Sequence, residues 1–260
     1  MCLRKKLTSI GVFSRKLAKA RKNNILIKPI PISICKNINL VKQIRILAEK
    51  KLNWHPIGFK IGATNKKISK ILKAKEPFYS YLYKERSFKN NSKLKLEKNT
   101  LGIELEIAYK INKKIFENEI KNKKQLIKFI YGLSPAIELV GFRQNLKKLK
   151  FVGQAAVDFG LNSSFIKSKI YKINNILNFS SKTQLINLKN KDIYTGHTNK
   201  VMGNPINSLF WLIKELQETN ITFNKDFWVT TGTTTSIVPV KRGDFFKGEV
   251  KSIGNIYVKF

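Results

Sequence analysis

The chain has 260 residues, and its 42% hydrophobic content is enough for a substantial core, either one large domain or a small one joined to a larger one, which argues against disorder. Its longest apolar runs, such as SLFWLI and IVPV, fall far short of the roughly 20 residues that span a bilayer. The formal charge of +35 comes from 51 Lys and Arg against 16 Asp and Glu, but it is spread along the whole chain as Lys among Asn and Ile, with no zinc-finger or RNP pattern; it reads as a compositional bias, and no specific nucleic-acid or membrane partner is expected.

From the amino terminus, the first acidic residue is Glu49, so the opening segment fits both a transit peptide and a basic helix. Two cysteines, Cys2 and Cys35, lack metal-like spacing and point to a reducing compartment without disulfides. Leu40, Val41, Ile44, Leu47, Ala48 and Leu52 follow helical spacing, which predicts an amphipathic helix over NLVKQIRILAEKKL that ends before Pro56. IGFKIGAT reads as a short strand, and Asn65 as the cap of a helix over KKISKILKAK. Residues 1–75 therefore form a mainly helical segment and residues 76–260 a β-rich domain, giving an α+β fold class. In the second part strands are predicted at LGIELEIAYK, PAIELVGFR, FVGQAAVDFG, FWVTT, SIVPV, DFFKGEV and NIYVKF, with turns at KRGD and SIGN joining the last of them into a meander. One helix interrupts them: Asn204 caps it, Pro205 opens it, and Ile206, Leu209, Phe210, Ile213 and Leu216 line one face.

The acidic residues carry the chemistry. Of sixteen, only Glu104, Glu106, Glu138, Asp158 and Glu218 have no Lys or Arg within three positions, and all but Glu218 stand in strand-like apolar text. On a strand, Glu104 and Glu106 project to one face while Ile103, Leu105, Ile107 and Tyr109 project to the other. A solvated edge strand accounts for that pair alone. If Glu138 joins them inside the protein, three buried carboxylates cost several kcal/mol each or must protonate, and a hard divalent cation such as Mg²⁺ or Mn²⁺ removes that cost. His55 and His197, the only histidines, lack partners at ligand spacing and read as loop or packing residues. Lys60 shares its strand face with Gly58 and Gly62, which leaves room beside its ammonium. TTGTTT can offer N–H and hydroxyl groups of Thr231, Gly232 and Thr233 to a carboxylate, or can be a plain turn.

The ordered set GFKIGATN, KEPFYSYL, LGIELEIAY, SPAIELVGFR, AAVDFG, VMGNPINSLFWLIKEL, TTGTTTSIVPVKRGD and IGNIYVKF resembles the fumarylacetoacetate hydrolase superfamily, in its 2-keto-4-pentenoate hydratase and 4-oxalocrotonate decarboxylase branch. The resemblance implies a mixed β-sandwich roll and a cytoplasmic homo-oligomer. It implies Mg²⁺ or Mn²⁺ on Glu104, Glu106 and Glu138, with Lys60 assisting proton transfer at a depressed pKa and Arg143 and Asp158 in supporting or structural positions. It further implies a small 2-oxo acid as substrate, either hydrated across a 4-ene or decarboxylated; a non-catalytic ligand-binding relative is the remaining alternative. SRKLAKARKNNILIKPIPIS matches the family's first helix and following loop, so residues 1–48 read as part of the domain. Two departures bear on the pocket: Phe78 stands where many hydratases carry an acid, and Phe159 where an asparagine is common.

Overall fold

The computed structural model describes residues 2–260, with side chains from residue 9 onward, so the Cys2 thiol lies outside the described residues. The amino-terminal part contributes α1 (Cys2–Asn23), α2 (Ile32–Cys35), α3 (Ile38–Leu52), β1 (Pro56–Gly62) and α4 (Lys66–Ile71). Then follow β2 (Phe78–Tyr83), β3 (Ser87–Lys89), β4 (Ser92–Lys93), β5 (Thr100–Ile111), α5 (Lys123–Ile127), β6 (Ile130–Gly141), α6 (Val152–Val157) and β7 (Asn162–Lys167). The chain closes with β8 (Lys182–Asn187), β9 (Ile193–His197), α7 (Pro205–Glu218), β10 (Phe227–Thr233), β11 (Phe245–Val250) and β12 (Gly254–Lys259). The predicted caps are present, Asn65 accepting from Lys67 N and Ile68 N and Asn204 from Ile206 N, and Asn37, which the sequence reading did not single out, caps α3 by accepting from Leu40 N; each satisfies N–H groups that a helix leaves open. Among the described residues, no helix is long and apolar enough to cross a membrane.

Two curled sheets form the body. A seven-stranded sheet runs in the order β2-β1-β10-β5-β6-β7-β3, and a five-stranded sheet in the order β4-β12-β11-β8-β9. Alternation along β5 explains how they pack: Ile103, Leu105, Ile107 and Tyr109 are fully buried in a core shared with β6, β8, β11, β12 and α7. The other face of the large sheet meets a second cluster, built from Leu17, Val41, Ile44, Ala48 and Leu52 of α1 and α3 with Ala156, Val157 and Phe159. Glu104 and Glu106 project to the opposite face of β5 from Ile103, Leu105, Ile107 and Tyr109.

Three readings of the sequence are corrected. FVGQAAVDFG is not a strand: residues 152–157 form α6, and Asp158 is its C-cap rather than a strand residue. The Val and Ala residues suit either state, but the Gln154 side chain accepts from Lys150 N and Phe151 N at the helix start. Gly153 also lets α6 approach α2 so closely that a Cβ there would stand 1.9 Å from the Cys35 carbonyl. SIVPV forms no named strand, only an isolated bridge from Ile103 to Val238, since Pro239 has no N–H to continue a ladder. SIGN does join β11 to β12 as a hairpin, but KRGD lies on the path from the large sheet to the small one and connects no adjacent pair.

Candidate functional site

Glu104 and Glu138 face each other directly across the β5–β6 ladder, and Glu106 lies one pleat further along the same face of β5. Each offers one carboxylate oxygen, and these oxygens all lie within 4.8 Å of one another. Glu106 and Glu138 are fully buried and Glu104 half-buried. Lys60 stands on β1, three strands from β6; in a flat sheet that separation is about 14 Å at roughly 4.8 Å per strand. The curl of the sheet and the length of the side chain close the gap, so that Lys60 Nζ is 3.1 Å from Glu138 Oε2 and donates to the Gly160 carbonyl at 3.0 Å.

The charge is unbalanced, with three carboxylates to one ammonium. Burial, with the nearby charge of Glu138, pushes Glu104 up to about 7 despite Lys60, and burial with Glu138 holds Glu106 well above the ordinary carboxylate range. Lys60 departs from expectation. Burial is the largest influence and lowers its pKa, but Glu138, Glu104 and Glu106 outweigh it, so the ammonium is held above its usual value. Two oxygens are left without a directed hydrogen bond: Glu106 Oε1, and Glu138 Oε2, which has only its ion pair with Lys60. Three hard oxygen donors with orphaned buried oxygens fit a divalent cation.

The remaining oxygens are held in place. Gly232 N donates to Glu106 Oε2 at 3.0 Å, and Asn162 Nδ2 donates to Glu138 Oε1 at 3.0 Å. Gly232 has φ 112°, and a Cβ there would lie 1.9 Å from Thr64 Oγ1, so no other residue fits the turn. Its N–H is thereby committed to Glu106. Of its neighbours, Thr231 donates its hydroxyl to the Ile107 carbonyl, whereas Thr233 Oγ1 is buried without a partner.

Behind Glu138 lies a second layer that residue spacing does not reveal. Asn162 Oδ1 accepts from Arg21 Nη2 at 3.0 Å, which fixes the amide orientation that serves Glu138. Arg21 sits among the rings of Trp54, Tyr83 and Phe159, with the Phe159 centroid 4.6 Å from its Cζ. Burial and the neighbouring Arg143 lower its pKa to about 9. Arg143 donates from Nε to Asp158 Oδ1 at 2.6 Å and from Nη1 to the Asn162 carbonyl at 3.0 Å, so Arg143 and Asp158 form a buried pair that anchors the Asn162 backbone. Between them the chain turns through three left-handed residues, Phe159, Gly160 and Leu161, at φ 50°, 63° and 64°. This turn aims the Gly160 carbonyl at Lys60. Phe159 is a costly residue for that conformation and is retained by packing around its ring.

The histidines stand apart: exposed His55 pairs with Glu85, and His197 caps a short 3-10 turn through Asn199 N. Cys35 is buried and free, its thiol pushed up to about 11 by burial.

No family model matches the chain. It is 22% identical over 221 residues to the 2-keto-4-pentenoate hydratase of Paraburkholderia xenovorans (strain LB400), covering 85% of this chain and 81% of that protein. It is likewise 22% identical over 207 residues to the 2-hydroxyhexa-2,4-dienoate hydratase of Comamonas testosteroni, covering 78% of each. In structure it is similar to the 4-oxalocrotonate decarboxylase of Pseudomonas putida G7 complexed with magnesium and adipate, with TM-score 0.84, 17% identity and coverage of 96% of this chain and 97% of the other. It is also similar, with TM-score 0.54, 12% identity and coverage of 79% and 89%, to the fumarylpyruvate hydrolase of Pseudomonas aeruginosa in complex with Mn²⁺ and pyruvate. These likenesses match the hydratase and decarboxylase branch of the fumarylacetoacetate hydrolase superfamily, the branch that the sequence motifs resemble.

Proposed function

We propose that this chain is a divalent-metal-dependent lyase of a small 2-oxo acid, adding water to a 2-oxo-4-enoate to give a 4-hydroxy-2-oxo acid. The observation that carries the reading is the convergence of Glu104, Glu106 and Glu138 around one buried ammonium, with acceptor oxygens left open. These three residues would hold Mg²⁺ or Mn²⁺, which when bound supplies Lewis-acid polarisation of the 2-oxo group and stabilises enolate charge.

The chain's own groups do the rest. Lys60 holds a proton at Nζ, oriented by the Gly160 carbonyl and Glu138. Burial acts to lower the Lys60 pKa and the three carboxylates hold it raised, so a cation that took up their charge would shift the balance towards the range where a proton can be passed to and from a substrate carbon. Phe78, whose ring centroid is 5.9 Å from Lys60 Nζ, offers no proton acceptor, which leaves Lys60 as the titratable group on that side. Thr231, Gly232 and Thr233 form the wall proposed to receive the substrate carboxylate. Of the three, Thr233 has the uncommitted hydroxyl, while Gly232 holds Glu106 and Thr231 braces the turn.

The test is the absorbance of a 2-hydroxy-2,4-dienoate followed with Mg²⁺ and with a chelator. Metal-dependent decay that is lost in Glu106→Gln is expected; equal turnover by parent and variant would refute the assignment. Decarboxylation is the second reading, favoured by the near full-length match in fold to a decarboxylase, and CO₂ release from 4-oxalocrotonate tests it. Metal-dependent binding without turnover of either substrate would instead identify a non-catalytic ligand-binding relative. A homo-oligomer is also proposed, to be checked by light scattering.

A further inference from the structure

A cavity of about 280 Å³ lies between α3, α6, α7 and the segment that leads into β2. Its walls are mainly apolar, with Val41, Leu72, Phe78, Phe151, Ala156 and Trp211 among them. Two of the cations at its margin are ion-paired, and the exposed Lys75 and Glu76 complete the rim. Lys42 pairs with Glu215 at 2.8 Å, Arg45 pairs with Glu49 at 3.0 Å, and Lys36 and Lys73 lie over the Phe151 ring at 5.0 and 5.2 Å.

Phe78 both lines this cavity and lies beside Lys60, its ring centroid 5.9 Å from Lys60 Nζ. The Phe78 ring lies against Gly62, where an added Cβ would be 2.3 Å from Phe78 Cζ, and against Gly160, where it would be 3.1 Å from Phe78 Cε2. The two glycines therefore make the slot that the ring occupies. Lys60 is itself 3.1 Å from Glu138. Rotation of Phe78 about its Cα–Cβ bond would open the cavity towards Lys60.

We propose that the cavity is the subsite for an unbranched apolar extension of the oxo acid, and that Phe78 is its specificity-determining door. This inference rests on the functional reading above, because it takes the head of the ligand to sit at the carboxylate centre. The apolar walls favour an alkyl tail over a second carboxylate, whose charge would lose its hydration inside the cavity.

The experiment is calorimetric titration of the full chain, with Mg²⁺ present, by oxalate, pyruvate, 2-oxobutanoate, 2-oxohexanoate, 2-oxooctanoate and 2-oxoadipate. In the parent, affinity rises with chain length by up to about fourfold per methylene, the ratio equivalent to about 0.8 kcal/mol per buried CH₂. Phe78→Ala keeps or steepens that dependence. Ala156→Phe fills the cavity and abolishes the dependence while oxalate binds as before; Val152→Phe, at a half-buried lining position, does the same should the first variant fail to fold. If oxalate and pyruvate bind but chain length has no effect, or if 2-oxoadipate binds more tightly than 2-oxohexanoate, the subsite is wrong and the functional reading stands. If neither oxalate nor pyruvate binds, the functional reading fails and the subsite with it.

Discussion

Two buried charge clusters lie on the same side of the large sheet, and they are built on opposite principles. In the Arg143–Asp158 cluster one cation meets one anion, and the guanidinium also reaches the Asp158 and Asn162 carbonyls and Ser163 Oγ. Asp158 Oδ2 takes Arg143 N and Gln144 Nε2 as well. In the Glu104–Glu106–Glu138 cluster three carboxylates meet one ammonium, and two oxygens lack a directed partner. A closed cluster of the first kind organises the backbone, whereas an open one of the second kind is poorly accounted for by folding alone. Asn162 connects them, its carbonyl held by Arg143 and its amide serving Glu138.

The contrast breaks most sharply with one substitution in each cluster. Glu106→Gln is expected to lower metal-dependent turnover by at least about a thousandfold, because loss of a ligand removes several kcal/mol of charge stabilisation. The same change should leave unfolding in chelator equal to the parent or slightly harder, since it removes a like charge from a buried site; steady-state kinetics and urea unfolding measure the two effects. Arg143→Met should do the reverse in order of cause. Leaving Asp158 buried and unpaired costs about 3–5 kcal/mol of folding stability, read from urea unfolding, and activity falls as a consequence.

A smaller effect is expected where the clusters meet. Asn162→Ala removes the donor that orients Glu138 and should weaken Mg²⁺ affinity by about 10–100-fold in calorimetry, the usual range for partners of metal ligands. Smaller still is a pH effect. Glu104 has its pKa raised to about 7 in the folded chain, so between the ordinary carboxylate range and about 7 the folded state binds more protons than the unfolded state. Its contribution in chelator therefore favours folding at low pH and is lost as pH rises through about 7. In the same window Mg²⁺ affinity should rise with pH as the proton leaves. Glu104→Gln should flatten the stability profile, as measured by thermal unfolding at a series of pH values.

The open cluster was more legible in sequence than the closed one. Glu104 and Glu106 stood out because strand alternation puts i and i+2 on one face and because basic neighbours were missing where the chain supplies them nearly everywhere. Lys60 was marked by the glycines on either side, and the helices by their asparagine caps. Arg21, one of 51 basic residues, carried no local mark, since its role depends on contacts with Asn162 and three rings that lie far away in sequence. Residues 151–160 read as a strand because Val-Gly-Gln-Ala-Ala-Val satisfies both strand and helix patterns, and the left-handed turn after it breaks the usual rule by placing Phe159 and Leu161 at positive φ. The three-strand reach of Lys60 to Glu138 depends on curl in the sheet, which no strand pattern encodes.

The most direct test is a crystal of the full chain soaked with Mn²⁺ and oxalate, with anomalous scattering used to locate the metal. The account predicts one strong peak bonded to a carboxylate oxygen from each of Glu104, Glu106 and Glu138. No peak there, with the three side chains directed away from a common point, would contradict it.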